Sequence, residues 1–327
     1  MTPHLGQELL YLSQSDVASC GLAMPKVIGA IESMFREKGE GRVEIPPKIG
    51  VHTMPDAFIH AMPAFIPVQK AVGVKWVGGY PANSQRSLPY ITGLVILNDP
   101  ETGVPISIMD CTWITAQRTG AATAVAAKYL ARTDSTTAGI LGCGVQGRSN
   151  LEALKTLFPL KKVFAYDTHS DQAVRYAQQM SKQLEVEVVA VADPKQAVVH
   201  SDIVVTTGPI LRKPHATIQP GWLAKGAFAS LVDFDSYWHA AALHEADKFT
   251  TDDVLQLHHY RDMGYFQNIP PIYADLGELV TARKPGRQLP GERTIACNLG
   301  LALDDIAVAP LVYARAMELR IGTWLQL

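Results

Sequence analysis

The residues of this chain best suited to chemistry lie in two places. The first is Gly142-Cys143-Gly144-Val145-Gln146-Gly147, which follows the apolar run Thr136–Leu141 and opens a helical pattern. In a strand-to-helix connection, a G-x-G-x-x-G run needs its first Gly for the tight turn and its second for close approach of backbone to a pyrophosphate. The third lets the helix pack against the strand, so that the helix N-terminus faces the phosphates. Asp167 closes the next short run, Lys162–Tyr166, 20 residues beyond Gly147, where the carboxylate that receives an adenosine ribose is expected. Such an acid accepts both ribose hydroxyls and repels a 2′-phosphate, and Thr168-His169-Ser170 offers no Arg to offset it, so the expected cofactor is NAD(H) rather than NADP(H). The second place is the acid pair Asp233 and Asp235, after the run Ala227–Val232. In open parallel sheets ligands gather beyond the carboxyl ends of the strands, which sets both acids near the nicotinamide end of a bound dinucleotide.

Elements that could position these groups are legible on either side. Leu9–Leu12 reads as a strand, and Met24–Lys38 as a helix with Pro25 in its first turn, Ile28, Ile31 and Phe35 on one face, and Gly39 as its stop. The runs Phe58–Pro63, Ala71–Val77, Ile91–Leu97 and Pro105–Met109, separated by Pro- and Gly-rich turns, predict a mostly antiparallel or mixed sheet. Thr115–Ala131 is Ala-rich and predicts a helix that carries Arg118 near its start. Beyond Asp167, Ser170 is placed to cap a helix with Val174, Ala177 and Leu184 at helical spacing, and Glu185–Ala192 and Ser201–Thr207 read as strands. The last stretch, Asn298–Met317, reads as a loop and then a helix whose apolar side holds Ile306, Ala309, Val312, Tyr313 and Ala316. The fold class is therefore α/β: a Rossmann dinucleotide-binding domain, 116–306, inserted in an α+β substrate-binding and dimerisation domain, 1–115 plus 307–327.

Composition narrows the partners. A chain of 327 residues, 47% apolar, can fill two ordinary cores, and a net charge of −2 with both signs interspersed leaves no footprint for nucleic acid or an anionic membrane. No basic-then-apolar leader and no run long enough to span a bilayer is present, so a soluble, cytoplasmic protein is expected. Cys20, Cys111, Cys143 and Cys297 are far apart without a C-x-x-C pair and read as reduced thiols. Cys143, within the glycine loop, needs only to be small. His239, His244, His258 and His259 match no metal-ligand spacing, and no metal is expected.

Several segments carry a resemblance along nearly the whole chain. Ile45-Pro46-Pro47-Lys48, His60-Ala61-Met62-Pro63-Ala64, Gly73-Val74-Lys75-Trp76, Gln117-Arg118-Thr119-Gly120-Ala121-Ala122, Gly142–Gly147 and Asn298-Leu299-Gly300-Leu301-Ala302-Leu303-Asp304-Asp305 occur in order and resemble the ornithine cyclodeaminase/μ-crystallin family. The Pro-Pro-Lys and Lys-Trp segments most resemble its archaeal alanine dehydrogenase branch. The resemblance implies a homodimer formed through the N-terminal domains, a Rossmann domain for NAD(P), and an amino-acid substrate in the cleft between domains. It implies hydride transfer at an α-carbon, as amino-acid dehydrogenation, imine reduction or ornithine cyclodeamination, with nucleotide-bound crystallin-like binding as a reading of another class.

Carried over by matching segment, Lys75 and Arg118 fall on the basic residues for a substrate carboxylate, with Lys48 a further candidate. Convergent cations give a carboxylate charge-assisted bonds, and an Arg can bind it bidentately. Taken singly, each of them also reads as a surface cation with its stem on apolar ground. Asp235 falls on the family acid that moves protons at the amine or attacking water, with Asp233 its rival; Asp235 and Lys75 make the catalytic set. Cofactor contacts are expected at Thr119, Gly142, Gly144, Val145, Gln146, Gly147, Asp167 and Thr207. The chain departs from the family at Asp235-Ser236-Tyr237-Trp238-His239, where Pro-Gly-Lys usually follows the acid, and at His60, which is either a substrate contact or a core histidine. The departures leave the substrate unnamed. A distal amine has no securely placed acid, which favours net redox chemistry over ring closure.

Overall fold

The computed structural model describes residues 5–327, with the side chain of residue 84 outside the description. Along the chain, β1 (Glu8–Leu12), α1 (Gln14–Ser19) and α2 (Met24–Gly39) lead to β2 (Ile49–Val51), β3 (Phe58–Ile66), β4 (Ala71–Gly79), β5 (Ile91–Asn98) and β6 (Pro105–Asp110). α3 (Thr112–Leu130) precedes β7 (Thr137–Leu141), α4 (Val145–Leu157), β8 (Lys162–Tyr166), α5 (Ser170–Leu184), β9 (Glu187–Ala190), α6 (Pro194–Val199), β10 (Ile203–Thr206) and β11 (Phe228–Leu231). Then come α7 (Ala240–Leu243), β12 (Lys248–Thr251), α8 (Val254–Asp262), β13 (Ile272–Asp275), α9 (Leu276–Val280), β14 (Thr294–Cys297), α10 (Ala302–Leu319) and β15 (Thr323–Gln326).

Two compact units result: one runs to Arg118 and resumes over Leu301–Leu327, the other is Thr119–Gly300. The divisions fall at Arg118/Thr119 and Gly300/Leu301, where the sequence had placed them at 115/116 and 306/307. The first turn of α10 belongs with the first unit because its acids pair there with Lys75 and Arg118.

In the first unit a mixed sheet has the order β15-β1-β6-β5-β4-β3-β2. β2 to β6 form antiparallel neighbours, while β1 lies parallel to β6. The pleat alternates the side chains of β4, so that Ala71, Gly73, Lys75 and Val77 are buried and Val72, Val74 and Trp76 are not. The buried face meets α10, whose Ile306, Ala309, Val312 and Ala316 are buried. α2 packs against α10 through its own apolar stripe of Val27, Ile28, Ile31, Met34 and Phe35.

The second unit is a parallel sheet in the order β13-β12-β14-β11-β10-β7-β8-β9. β10, β11, β12 and β14 are buried along their whole length, as parallel strands covered by helices on both faces must be. Leu231, Trp238, Phe249 and Ile295 belong to one of its apolar clusters. Among the described residues no helix is long and apolar enough to cross a membrane.

Three local expectations are corrected. Gly39 does not stop α2; it is the last helical residue, and the chain turns at Gly41, whose φ of +72° is the left-handed geometry a glycine takes freely. Ser170 is the first residue of α5 rather than its cap, which is His169, and the buried stripe of that helix is Ala173, Tyr176, Ala177 and Met180, leaving Val174 exposed. β12, β13 and β14 were missed: each is only four residues long, and Lys248-Phe249-Thr250-Thr251 carries too much polarity to signal a buried strand.

Candidate functional sites in the two units

In the second unit, the glycine loop leaves the carboxyl end of β7 and enters α4. Gly142 sits at φ +105°, and its carbonyl accepts a bond from the Thr207 hydroxyl at 2.7 Å, so the turn is tied to the end of β10. Gly147 lies so close to the start of the loop that a Cβ there would be 2.2 Å from the Gly142 oxygen. Gly144 differs from both. Its φ is −84°, and a Cβ added to it would meet no protein atom within 4 Å. Neither strain nor packing within the chain asks for Gly at 144, whereas a ligand approaching the backbone there does.

Asp167 is fixed against this loop. One carboxylate oxygen accepts from the Cys143 N–H at 2.9 Å, and the other accepts from the His169 N–H at 2.9 Å. Gln172 donates to the Cys143 carbonyl at 2.9 Å, which braces the same turn from α5. Val145 and Gln146 form the first turn of α4, whose N-cap Gly144 makes no side-chain hydrogen bond, so this end of the helix keeps the positive pole of its dipole uncapped by a side chain. Burial and the nearby Asp167 push the Cys143 thiol up to about 12, so it stays neutral. Thr119 begins this unit, on α3.

Beyond β11, Asp233 and Asp235 are both buried but differently held. Asp233 accepts from the Thr206 hydroxyl at 2.6 Å and the Gly208 N–H at 2.7 Å, and burial pushes its carboxyl up to about 7 against these bonds. Asp235 is also raised, chiefly by burial; it accepts from the Phe266 backbone N–H, while its Oδ1 has no hydrogen-bond partner among the described residues. Between them Phe234 takes a left-handed φ of +62°, a conformation that costs free energy at a non-glycine residue. Its ring is held by Tyr260 and Phe266 at centroid distances of 5.0 and 4.8 Å.

The bulky stretch after Asp235 stitches down the loop that follows β10. Ser236 Oγ accepts from the Leu211 N–H at 2.9 Å, and the Tyr237 carbonyl accepts from Thr217 and Ile218. The Tyr237 ring lies against Gly208 so closely that a Cβ there would be 2.4 Å from it, and Trp238 Nε1 donates to Thr206. His239 is a helix cap, its Nδ1 accepting from the Ala241 N–H.

In the first unit the structure brings Lys75 and Arg118 together. Lys75, on the inward face of β4, is 1% exposed and Arg118 7%. The Lys75 Nζ lies 2.5 Å from Asp305 Oδ2, and Arg118 reaches Asp305 through Nε at 3.3 Å and Asp304 through a terminal nitrogen at 3.0 Å. Asp304 also accepts from the Leu301 N–H at 2.9 Å, which closes the first turn of α10. Burial pulls the Lys75 ammonium below its ordinary range and Arg118 adds to that, while Asp305 opposes both. His60 pairs with Val77, two residues along β4 from Lys75, and its ring stacks on Phe58 at 4.3 Å and lies against Gly50. Lys48 is half-buried just before β2. The surface-cation reading of Lys75 and Arg118 is thus replaced by a buried, charge-balanced cluster. Its two acids were missed as site residues: Asp304 and Asp305 entered the sequence reading only as the end of the Asn298–Asp305 segment.

Comparison with known proteins agrees with this architecture. Residues 8–319 match the model of the ornithine cyclodeaminase/mu-crystallin family. The alanine dehydrogenase of Archaeoglobus fulgidus is 33% identical, covering 97% of this chain and 98% of its own. The structure of Thermococcus litoralis Δ1-pyrroline-2-carboxylate reductase in complex with NADH and L-proline superimposes with a TM-score of 0.88 at 33% identity, covering 96% of this chain and 99% of that one. An archaeal alanine dehydrogenase dimer with bound NAD gives a TM-score of 0.86 at 32% identity, over 97% and 99% of the two chains. On a family match spanning both units and relatives similar along almost their full length, the chain belongs to the ornithine cyclodeaminase/mu-crystallin family.

Proposed function

We propose that this protein is an NAD(H)-dependent enzyme acting at the α-carbon of a small amino acid or its imine, as an amino-acid dehydrogenase or imine reductase. The observation that carries the reading is the buried pair Lys75 and Arg118, two cations held side by side by carboxylates of α10. Buried cations form strong, charge-assisted bonds to a carboxylate, and the Arg fork matches it bidentately.

The residues of the glycine loop fit a dinucleotide. Gly144 leaves room at the helix entrance, the open N-terminus of α4 suits a pyrophosphate, and Asp167 is oriented by two backbone N–H groups toward the role of ribose acceptor. Held there, the dinucleotide would supply hydride exchange at the substrate's α-carbon. Lys75 and Arg118 hold the carboxylate and so fix that carbon, with His60 on β3 and Lys48 just before β2 as further contacts. Asp235, with one bare oxygen, takes or returns the proton at the amine or attacking water and stabilises the positive charge of the iminium. Its raised pKa brings proton exchange closer to neutrality. Thr119 and Thr207 complete the cofactor contacts.

A homodimer is part of the proposal. The outward face of the first sheet is apolar as well as the inward one: Trp76 is 50% and Leu94 40% exposed, side by side in register, with Val74 and Ile96 alongside. An archaeal relative is itself a dimer.

The test is a screen of L-alanine, L-proline, L-ornithine, Δ1-pyrroline-2-carboxylate and 2-oxo acids with ammonia, following NADH absorbance and ammonia together. Net change in NADH supports the proposal. Ornithine converted to proline and ammonia without NADH accumulation makes the chain a cyclodeaminase. Bound NADH without turnover of any of them favours crystallin-like binding.

A further inference from the structure

Four charged side chains meet in the first unit, and their arithmetic is the starting point. Lys75 and Arg118 supply two positive charges, Asp304 and Asp305 two negative. The two acids have different work. Asp304 is committed to the Leu301 N–H and to one Arg118 nitrogen, so it anchors the helix turn. Asp305 touches both cations, through Oδ2 to Lys75 and Oδ1 to Arg118. We propose that Asp305 is a positioning residue that clamps the Lys75 ammonium and the Arg118 guanidinium side by side as one carboxylate receptor. The proposal rests on the reading that Lys75 and Arg118 bind the substrate's carboxylate.

The physical need for such a clamp is plain. Burial and the neighbouring arginine both loosen the hold of Lys75 on its proton, and an anion close by strengthens it. A neutral amine keeps its volume but loses its attraction for a carboxylate. Asp305 supplies the anion from the side, with its Oδ2 2.5 Å from the ammonium nitrogen. The other groups facing Lys75 cannot substitute. On the flanking strands Met62 and Val95 lie opposite it in register and are apolar, and His60, farther along β3, carries no negative charge. Cys111 is a thiol that burial pushes up, so it stays neutral near pH 7, and Asp304 is engaged with Arg118.

The experiment titrates pyrrole-2-carboxylate, a planar probe with one carboxylate, into the full-length protein saturated with NADH, from pH 6.5 to 9. Wild-type affinity is expected to vary less than about threefold over that range. Asp305→Asn should bind within a few-fold of wild type at pH 6.5 and lose about tenfold per pH unit above the point where Lys75 deprotonates. Asp305→Glu should restore the flat profile. Weakening of Asp305→Asn by the same factor at every pH, or no weakening, overturns the proposal. Lys75→Met and Arg118→Ala separate the two layers: if neither weakens the probe, the carboxylate reading itself fails. If both weaken it while Asp305→Asn keeps the wild-type profile, only the clamp fails. Should Asp305→Asn not fold, calorimetry of the wild type in two buffers of different ionisation enthalpy at pH 8.5 decides. No proton uptake is expected, and uptake near one proton per probe bound overturns the proposal.

Discussion

Asp233 and Asp235 stand two residues apart beyond β11, on either side of the left-handed Phe234, and their carboxylates are held differently. Asp233 accepts from Thr206 and Gly208, whereas the Oδ1 of Asp235 has no hydrogen-bond partner. A carboxylate already bonded at both oxygens is a structural acceptor, and one with a bare, buried oxygen is available to a proton in transit. Asp235→Asn should therefore lower kcat by a factor on the order of 10² to 10⁴ with little change in NADH affinity. Asp233→Asn should chiefly lower the melting temperature. Full turnover in Asp235→Asn, with loss of turnover in Asp233→Asn, would reverse the assignment.

The same pair sets a pH dependence of stability. The Asp233 carboxyl is raised from 3.8 to about 7 in the folded protein, so the folded state holds this proton more tightly than the unfolded one. Its contribution is fully present below about pH 4 and is lost as pH rises through 7, with a slope of at most about 1.4 kcal/mol per pH unit. Unfolding free energies of wild type and Asp233→Asn, measured from pH 4 to 8, should differ by an amount that moves against the wild type as pH rises. A difference independent of pH would show that Asp233 does not titrate in that window.

Much of this was legible in the sequence because local chemistry dictates it. The glycine loop, the strand before it and Asp167 follow from steric and electrostatic demands confined to about thirty residues. Short apolar runs between Pro- and Gly-rich turns marked the strands of the first sheet. What escaped depends on contacts far apart in the chain. Asp305 finds Lys75 only because α10 returns to the sheet begun by the first hundred residues, and no local pattern encodes that return. The strand β12 was hidden because buried Lys248 satisfies its ammonium with the Gly286 carbonyl at 2.5 Å and with Glu292 at 3.1 Å, partners invisible from its own neighbourhood. The family resemblance supplied the pairing of Lys75 with Arg118, which residue spacing alone left as two surface cations.

The proposed preference for NAD(H) over NADP(H) turns on Asp167. Both carboxylate oxygens are held by backbone N–H groups, which fixes the charge in place at the end of β8. A 2′-phosphate there meets a fixed anion, and Thr168-His169-Ser170 provides no guanidinium. Direct titration should show NADH binding at least about tenfold more tightly than NADPH, about 1.4 kcal/mol. In Asp167→Ala the preference should shrink. Tighter binding of NADPH by the wild type would refute this.

The two remaining glycines of the loop make a paired test of whether it cradles a ligand at all. A methyl group at 147 would sit 2.2 Å from the backbone oxygen of Gly142 and 3.1 Å from Ile140 Cγ2, so strand and helix must part. The cost, about 1–3 kcal/mol for overpacking, exceeds the roughly 1 kcal/mol that Ala otherwise gains over Gly in a helix. Gly147→Ala should therefore melt lower with or without NADH. At 144 a methyl group meets nothing within 4 Å among the described residues and the backbone angles are ordinary, so Gly144→Ala should fold and melt like the wild type. If the pyrophosphate lies against this backbone, the same methyl group intrudes on it, and NADH affinity should fall by roughly 10- to 100-fold, the equivalent of about 1–3 kcal/mol of steric cost. Undiminished NADH binding by Gly144→Ala would remove the loop from the cofactor site.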